Sequence, residues 1–235
     1  EVSRYSFDLF PDYIYLATYL LAASIQIINF TILIFIKIKK PEVTAKKIRP
    51  LKDILIQKTL IIAILAAAVG YSLMSFIMTA TPLQIVNICK LGNSASSTVI
   101  QWHIIAMFAP SFFTGSIISR FGNRKVMLVG IILYAFSVFF GILGDTVLNF
   151  WIALFLCGLG WNFLYVGGSD IIAKSALPEE RAKVQGVTDF IIFVFVAMGS
   201  FLAGYLHSNL GWEIMLFYTI GIIGVVINGA NVFYH

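Results

Sequence analysis

Long apolar segments alternate with short polar gaps along the whole chain. Seven segments contain roughly 20 mostly apolar residues each, which is the length that an α-helix needs to cross a bilayer. Each segment is predicted to be a helix, because hydrocarbon offers no hydrogen-bond partner to free backbone amides and the segments are too long for barrel strands. The predicted spans are residues 13–36, 59–80, 98–119, 126–144, 149–173, 184–206 and 212–233.

Composition supports a membrane protein. Hydrophobic residues make up 60% of the 235 positions and charged residues 11%, whereas soluble domains have about 45–50% and about 25%. The sequence therefore predicts an all-α integral membrane protein in contact with lipid. Cys89 lies in a polar gap and Cys157 inside a span, so the cysteines predict neither a disulfide framework nor a metal site.

The positive charges follow the gaps between spans. The net charge is +5, but the cations do not share one face, so we expect no nucleic-acid partner. Fourteen of the sixteen lie in alternate gaps, and only Arg4 and Lys90 lie in the opposite set. Basic loops stay in the cytoplasm, so we predict a multi-pass protein of the cell membrane with its amino end outside and its carboxyl end inside.

The long gap at residues 37–58 predicts the domain organisation. It contains prolines and many charges without an apolar run, as expected of a cytoplasmic linker between two membrane bundles. The chain starts at Glu1, on the predicted outer side, with no signal segment before it. We therefore expect a fragment in which residues 1–36 hold the last helix of one bundle and residues 59–235 form the next.

Two predicted inner turns carry recognisable motifs. The first is GSIISRFGNRK at residues 115–125, between the third and fourth spans. The second is LPEERAKVQG at residues 177–186, which follows GLGWNFLYVGGSD in the fifth span. In this register the chain resembles the major facilitator superfamily (MFS), from the sixth helix through the central loop to the twelfth helix.

The resemblance implies a secondary transporter that moves a small solute by alternating access, without a cofactor or enzymatic activity. It also implies that most of the amino-terminal half is missing from this chain. Ser119 stands where the family motif usually has Asp, and Asn123 where it usually has Arg. The resemblance makes four residues of the first turn candidates for gating: Gly115, Arg120, Gly122 and Arg124.

By the same resemblance, the second, third, fifth and sixth spans surround the transport cavity. Polar and aromatic residues there are candidates for binding the solute: Tyr71, Ser75, Gln101, Trp102, His103, Trp161, Asn162 and Tyr165. Trp102 and His103 are equally consistent with anchoring at the membrane interface, and Trp161 and Asn162 with packing.

Two carboxylates inside spans are candidates for proton coupling or gating. Asp170 has Lys174 at helical spacing, and Asp189 has Lys183 and Arg181 one or two turns away. Structural ion pairing therefore competes with proton coupling at both positions.

Two other classes of membrane protein deserve comparison. A seven-helix receptor or sensor would have the same topology, but the seventh span contains no lysine for a Schiff base and the third span does not end inside with an acidic residue followed by Arg and Tyr. A membrane metalloprotease would need HExxH, which does not occur in the sequence. The receptor remains the alternative to a transporter, and an enzyme is not expected.

The charge distribution makes the topology testable. Single cysteines replacing Lys46 and Ser175, in a background without Cys89 and Cys157, are expected to be shielded from an impermeant thiol reagent added outside the cell. A cysteine replacing Asn93 is expected to react. Labelling at Lys46 from outside would overturn the orientation.

Overall fold

A computed structural model describes residues 16–37 and 49–234, with side chains described up to residue 224. Within these ranges every regular element is helical. The chain divides into two compact units, Glu1–Thr44 and Ala45–His235. The first contains helix α1, Leu16–Phe35, none of whose side chains is buried.

The second unit is a bundle of helices. It begins with a short helix, and the long helix that follows is extended by a π-helical turn at Gln84–Ile88. The elements are α2 (Leu51–Leu55), α3 (Lys58–Leu83), α4 (Asn93–Phe108), α5 (Ser111–Phe121), α6 (Asn123–Leu143), α7 (Val147–Ser175), α8 (Arg181–Leu210) and α9 (Trp212–Tyr234).

The described helices confirm an all-α membrane fold. Helices α1, α6, α7 and α8, and α3 with its π-helical turn, are each long and apolar enough to cross a bilayer. The α4–α5 pair is a sixth candidate if the two helices together count as one span. The described apolar part of α9, Trp212–Gly224, is shorter than a span.

The predicted third span, residues 98–119, lies within two consecutive helices, α4 and α5. The chain bends by 43° between α4 and α5, with Ala109 and Pro110 at the break. Proline has no backbone N–H and its ring clashes with the preceding turn, so it interrupts a helix.

Helix α7 is the central helix of the bundle, since it packs against α3, α4 and α6. A Cβ atom at Gly158 would lie 2.6 Å from the backbone oxygen of His103 in α4. A Cβ atom at Gly168 would lie 2.9 Å from the backbone oxygen of Ala63 in α3. Glycine at these two positions therefore lets the backbones meet, as small residues do in membrane bundles.

Side chains buried between helices donate hydrogen bonds to backbone carbonyls. The Tyr134 hydroxyl of α6 donates to the Gly70 oxygen of α3 at 2.6 Å. The Trp212 indole of α9 donates to the Gly141 oxygen of α6 at 2.7 Å. Such partners keep polar side chains satisfied where water is absent.

The end of the predicted linker is folded onto the bundle. Arg49 Nη2 donates to Glu180 Oε2 at 2.6 Å, and the Arg49 backbone N–H donates to Oε1 at 2.9 Å. The backbone N–H of Leu177 also donates to this carboxylate, at 3.0 Å. Ile54 of α2 is buried nearby in a cluster with residues of α3 and α8. Residues 49–58 therefore form part of the carboxyl-terminal unit.

The Glu180 carboxylate is almost fully buried, with its side chain 1% exposed. Hydrogen bonding to the Arg49 guanidinium holds the pKa of Glu180 at about 2, against an ordinary value of 4.5. Since the pKa is lower in the folded state, the pair stabilises the fold above about pH 4.5, and this stabilisation is lost as the pH falls towards 2.

We expect Glu180→Gln to lower the unfolding temperature of the purified protein at pH 6, because the variant leaves Arg49 without its charged partner. The difference from the wild type should shrink as the pH is lowered from 4.5 towards 2. Thermal unfolding followed by tryptophan fluorescence measures both effects, with the exposed Glu213→Gln as control. A pH-independent difference would contradict the proposed origin of the stabilisation.

Candidate functional site

Aromatic side chains from four helices meet in one cluster. The Trp161 and Tyr165 rings of α7 are stacked with centroids 5.1 Å apart. The ring of Tyr71 in α3 lies edge-on to both, at 5.3 Å from each. Phe193 of α8 packs against Tyr71 at 5.6 Å, and Phe108 of α4 against Trp161 at 5.7 Å. We call these five residues the aromatic cluster.

The cluster is covered at its centre and open at its ends. Trp161 is only 5% exposed, whereas Phe108 is 56% and Phe193 51% exposed. Tyr71 and Tyr165 are half-buried. An aromatic surface of this kind offers ring faces and edges to a flat, conjugated molecule.

Hydroxyl groups lie along the same side of α3 and α8. Ser75, one turn beyond Tyr71 in α3, has its hydroxyl oxygen 2.5 Å from that of Ser200 in α8. Ser75 was a candidate from the sequence, whereas Ser200 was missed. Serine in a helix commonly bonds to its own backbone, so the sequence contains no signal for this pair.

The two intramembrane carboxylates have different partners. Asp170 pairs with Lys174 at 2.5 Å, which confirms the pairing expected from helical spacing. Asp189, half-buried in α8, instead accepts a hydrogen bond from Gln185 at 2.7 Å. The ion pair considered for Asp189 with Lys183 or Arg181 is not found among the described residues, and Gln185, one helical turn away, is the partner instead.

Asn162 is completely buried beside the α4–α5 break. Its Nδ2 donates to the Met107 backbone oxygen at 2.7 Å and to Ser111 Oγ at 2.6 Å. Its Oδ1 accepts from Thr114 Oγ1 at 2.6 Å. Both donors and the acceptor of this amide are therefore engaged within the bundle.

The three candidates in α4 point in different directions. Trp102 is 42% exposed and packs edge-on against Trp151 at 5.8 Å. His103 is fully buried, with Nδ1 2.7 Å from the Leu154 oxygen, so the interface-anchor interpretation was wrong for this residue. Gln101 is exposed. None of the three joins the aromatic cluster.

The first inner turn is shorter than predicted. Gly115 and Arg120 lie in α5, and α6 begins at Asn123, so only Gly122 remains between the helices. Its φ of +83° is a backbone conformation that other residues adopt only with strain. The guanidinium of Arg120 lies over the ring of Phe121, 5.4 Å from its centroid.

Asn123 connects this turn to α7. Its Nδ2 donates to Asp170 Oδ2 at 2.9 Å and to the Gly167 oxygen at 3.0 Å. The sequence marked Asn123 only as a departure from the family motif, and did not indicate this contact. The turn is therefore fixed to the central helix through the Asp170–Lys174 pair.

The described residues contain no group of three His, Cys, Asp or Glu side chains arranged to hold a metal ion. What the arrangement offers is an aromatic surface with neighbouring hydroxyl, amide and carboxylate groups. Such a surface suits reversible binding of an organic solute.

Comparison with known proteins yields one family model and several relatives. The Major Facilitator Superfamily model matches residues 60–233. The riboflavin transporter RfnT of Brucella anthropi is 37% identical over 226 residues, which cover 94% of this chain and 56% of that transporter. YddS, an MFS-type transporter of Bacillus subtilis, is 33% identical over 145 residues, or 61% of this chain and 33% of YddS.

The multidrug resistance protein MdtL of Escherichia coli is 26% identical over 157 residues, covering 64% of this chain and 40% of MdtL. The chain thus spans about half or less of the length of these relatives. The matches support the transporter interpretation over the receptor. With most of its length matched by the family model and its helices arranged as a membrane bundle, the chain belongs to the major facilitator superfamily.

Proposed function

We propose that the whole protein is a secondary transporter that moves a small solute across the cell membrane by alternating access. In this proposal α1 is the last helix of the amino-terminal bundle, and residues 59–235 form the carboxyl-terminal bundle. Residues 37–58 are the central linker, and its end, residues 49–58, packs onto the carboxyl-terminal bundle. The positive charges support an amino end outside and a carboxyl end in the cytoplasm. Transport would require the remaining helices of the amino-terminal bundle.

The aromatic cluster is the observation that carries this proposal. Its members come from α3, α4, α7 and α8, the four helices that the family resemblance places around the cavity. Three of the sequence-based candidates, Tyr71, Trp161 and Tyr165, contribute to it. An aromatic surface in that position favours a solute with a planar conjugated ring.

Riboflavin is the solute that we propose, because RfnT is named a riboflavin transporter. The planar ring system of riboflavin also matches the aromatic cluster. The hydroxylated side chain of riboflavin needs polar partners. Ser75 and Ser200 offer hydroxyl groups, and Asp189 with Gln185 offers a carboxylate and an amide.

We propose that the first inner turn does more than anchor the chain in the cytoplasm: it acts as a clamp, which stabilises one conformational state of the transporter. Asn123 already fixes the turn to Asp170 on the central helix. The planar guanidinium groups of Arg120 and Arg124 are suited to several directed hydrogen bonds, which a lysine ammonium reproduces poorly. Movement of this turn would therefore be transmitted to α7, which carries Trp161.

Tyr71→Leu in the complete transporter is expected to raise the KM for riboflavin uptake about three- to tenfold, since aromatic pairs contribute about 0.5–1.5 kcal/mol. Tyr71→Phe, which keeps the ring, should stay within about twofold of the wild type. Phe136→Leu, at an exposed position of α6, is the control. Uptake of labelled riboflavin by cells that lack other riboflavin carriers measures the KM.

Two results would contradict the proposed solute. The first is the absence of saturable riboflavin uptake by the complete wild-type protein at normal surface abundance. The second is a Tyr71→Leu variant whose KM equals that of Phe136→Leu.

Gly122→Ala is expected to slow transport, because its φ of +83° imposes strain of order 1–3 kcal/mol on any other residue. Gly115→Ala is the matched control, since Gly115 lies within α5 with open space around it.

Arg120→Lys should reduce the transport rate at normal surface abundance if the turn is a clamp. Wild-type rates for both Gly122→Ala and Arg120→Lys would reduce the turn to a cytoplasmic anchor.

A further inference from the structure

The break between α4 and α5 leaves backbone groups that need partners inside the bundle. Pro110 has no N–H to donate to the carbonyl of Ala106, one turn earlier. Water is scarce at membrane depth, so neighbouring helices must supply the missing hydrogen bonds. Side chains from outside the broken helix can therefore stabilise the 43° bend by bonding to these groups.

Asn162 of α7 supplies bonds on both sides of the break. It donates to the Met107 oxygen in α4 and to Ser111 Oγ in α5. Thr114 Oγ1, which is also 2.9 Å from the Pro110 oxygen, donates to Asn162 Oδ1. A side-chain amide has two N–H donors and one carbonyl acceptor, and all are used here.

The break adjoins the aromatic cluster. Phe108 is the last residue of α4 before the break, and its ring packs edge-on against Trp161, the residue directly before Asn162. A change in the bend between α4 and α5 would therefore move Phe108 relative to Trp161.

We propose that Asn162 is a positioning residue of the solute site. It holds the α4–α5 break in place and thereby sets Phe108 against Trp161, without itself contacting the solute. The identity of the site rests on the proposed transport function, but the mechanical role of Asn162 at the break does not. Asn162 thus acts on solute affinity through the shape of the broken helix.

Uptake by the complete transporter separates this role from direct binding. Asn162→Leu is expected to raise the KM for riboflavin about five- to tenfold, as for the loss of one or two buried hydrogen bonds. In a Phe108→Ala background the same substitution should add less than about twofold, because its effect passes through Phe108. An equal effect of Asn162→Leu in both backgrounds would indicate direct contact with the solute and overturn the proposal.

Thr114 provides a second, milder test. Thr114→Val removes the hydroxyl group that bonds to Asn162 and is expected to raise the KM about two- to fivefold, whereas Thr114→Ser should restore most of the affinity. If Asn162→Leu does not reach the membrane, the Thr114→Val and Thr114→Ser variants test the positioning role of Asn162 instead. An unchanged KM in Thr114→Val, or a loss of surface abundance with unchanged KM, would show a purely structural role.

A measurement without solute distinguishes failure of this proposal from failure of the proposed function. Spin labels at Ile104 in α4 and Ser116 in α5, both exposed, report the distance across the break in a background without Cys89 and Cys157. Asn162→Leu is expected to shift or broaden the distance distribution, and an unchanged distribution would overturn the proposal. Absence of riboflavin uptake by the wild type would contradict only the proposed solute.

Discussion

The contact of α7 with its neighbours at backbone distance is the constraint on which the rest of the bundle depends. Lipid tails are as apolar as the side chains, so helices in a membrane associate through close packing and hydrogen bonds rather than through the hydrophobic effect. At Gly158 and Gly168 a single added Cβ would collide with the backbone of α4 or α3. These two contacts set how closely α7 lies to α4 and to α3.

Three features of the proposed transport cycle lie on this one helix. Trp161 forms the centre of the aromatic cluster, Asn162 holds the α4–α5 break, and Asp170 receives Asn123 from the first inner turn. The adjacent residues Trp161 and Asn162 thus have different partners. Trp161 packs against aromatic rings, and Asn162 donates to the Met107 oxygen beside the helix break. Through α7 the aromatic cluster, the α4–α5 break and the first inner turn are therefore joined by direct contacts.

The sequence predicted the helical membrane fold because the lengths of apolar segments and the alternation of charged gaps are properties of the linear sequence. It did not predict the break, since a proline inside a span need not end a helix: Pro82 lies within α3, whereas Pro110 interrupts the third span. Tyr71, Trp161 and Tyr165 were candidates because they are polar or aromatic residues in spans that the family resemblance places around the cavity. Phe108 and Phe193 resemble lipid-facing residues, and only the packing of four helices shows that they join the cluster. The sequence also could not show whether the Asn162 amide faces a cavity or a neighbouring helix.

Protection of an introduced cysteine by solute tests most directly whether the face of α3 and α8 beside the aromatic cluster receives the solute. The complete transporter would carry Ser200→Cys as its only cysteine, and the rate of its alkylation would be measured with and without saturating riboflavin. We predict that riboflavin slows alkylation at position 200 and leaves the rate unchanged for a cysteine at Phe136, which is exposed on α6. Equal alkylation rates at position 200 with and without riboflavin, in a protein that transports it, would contradict the assignment of this face as the solute site.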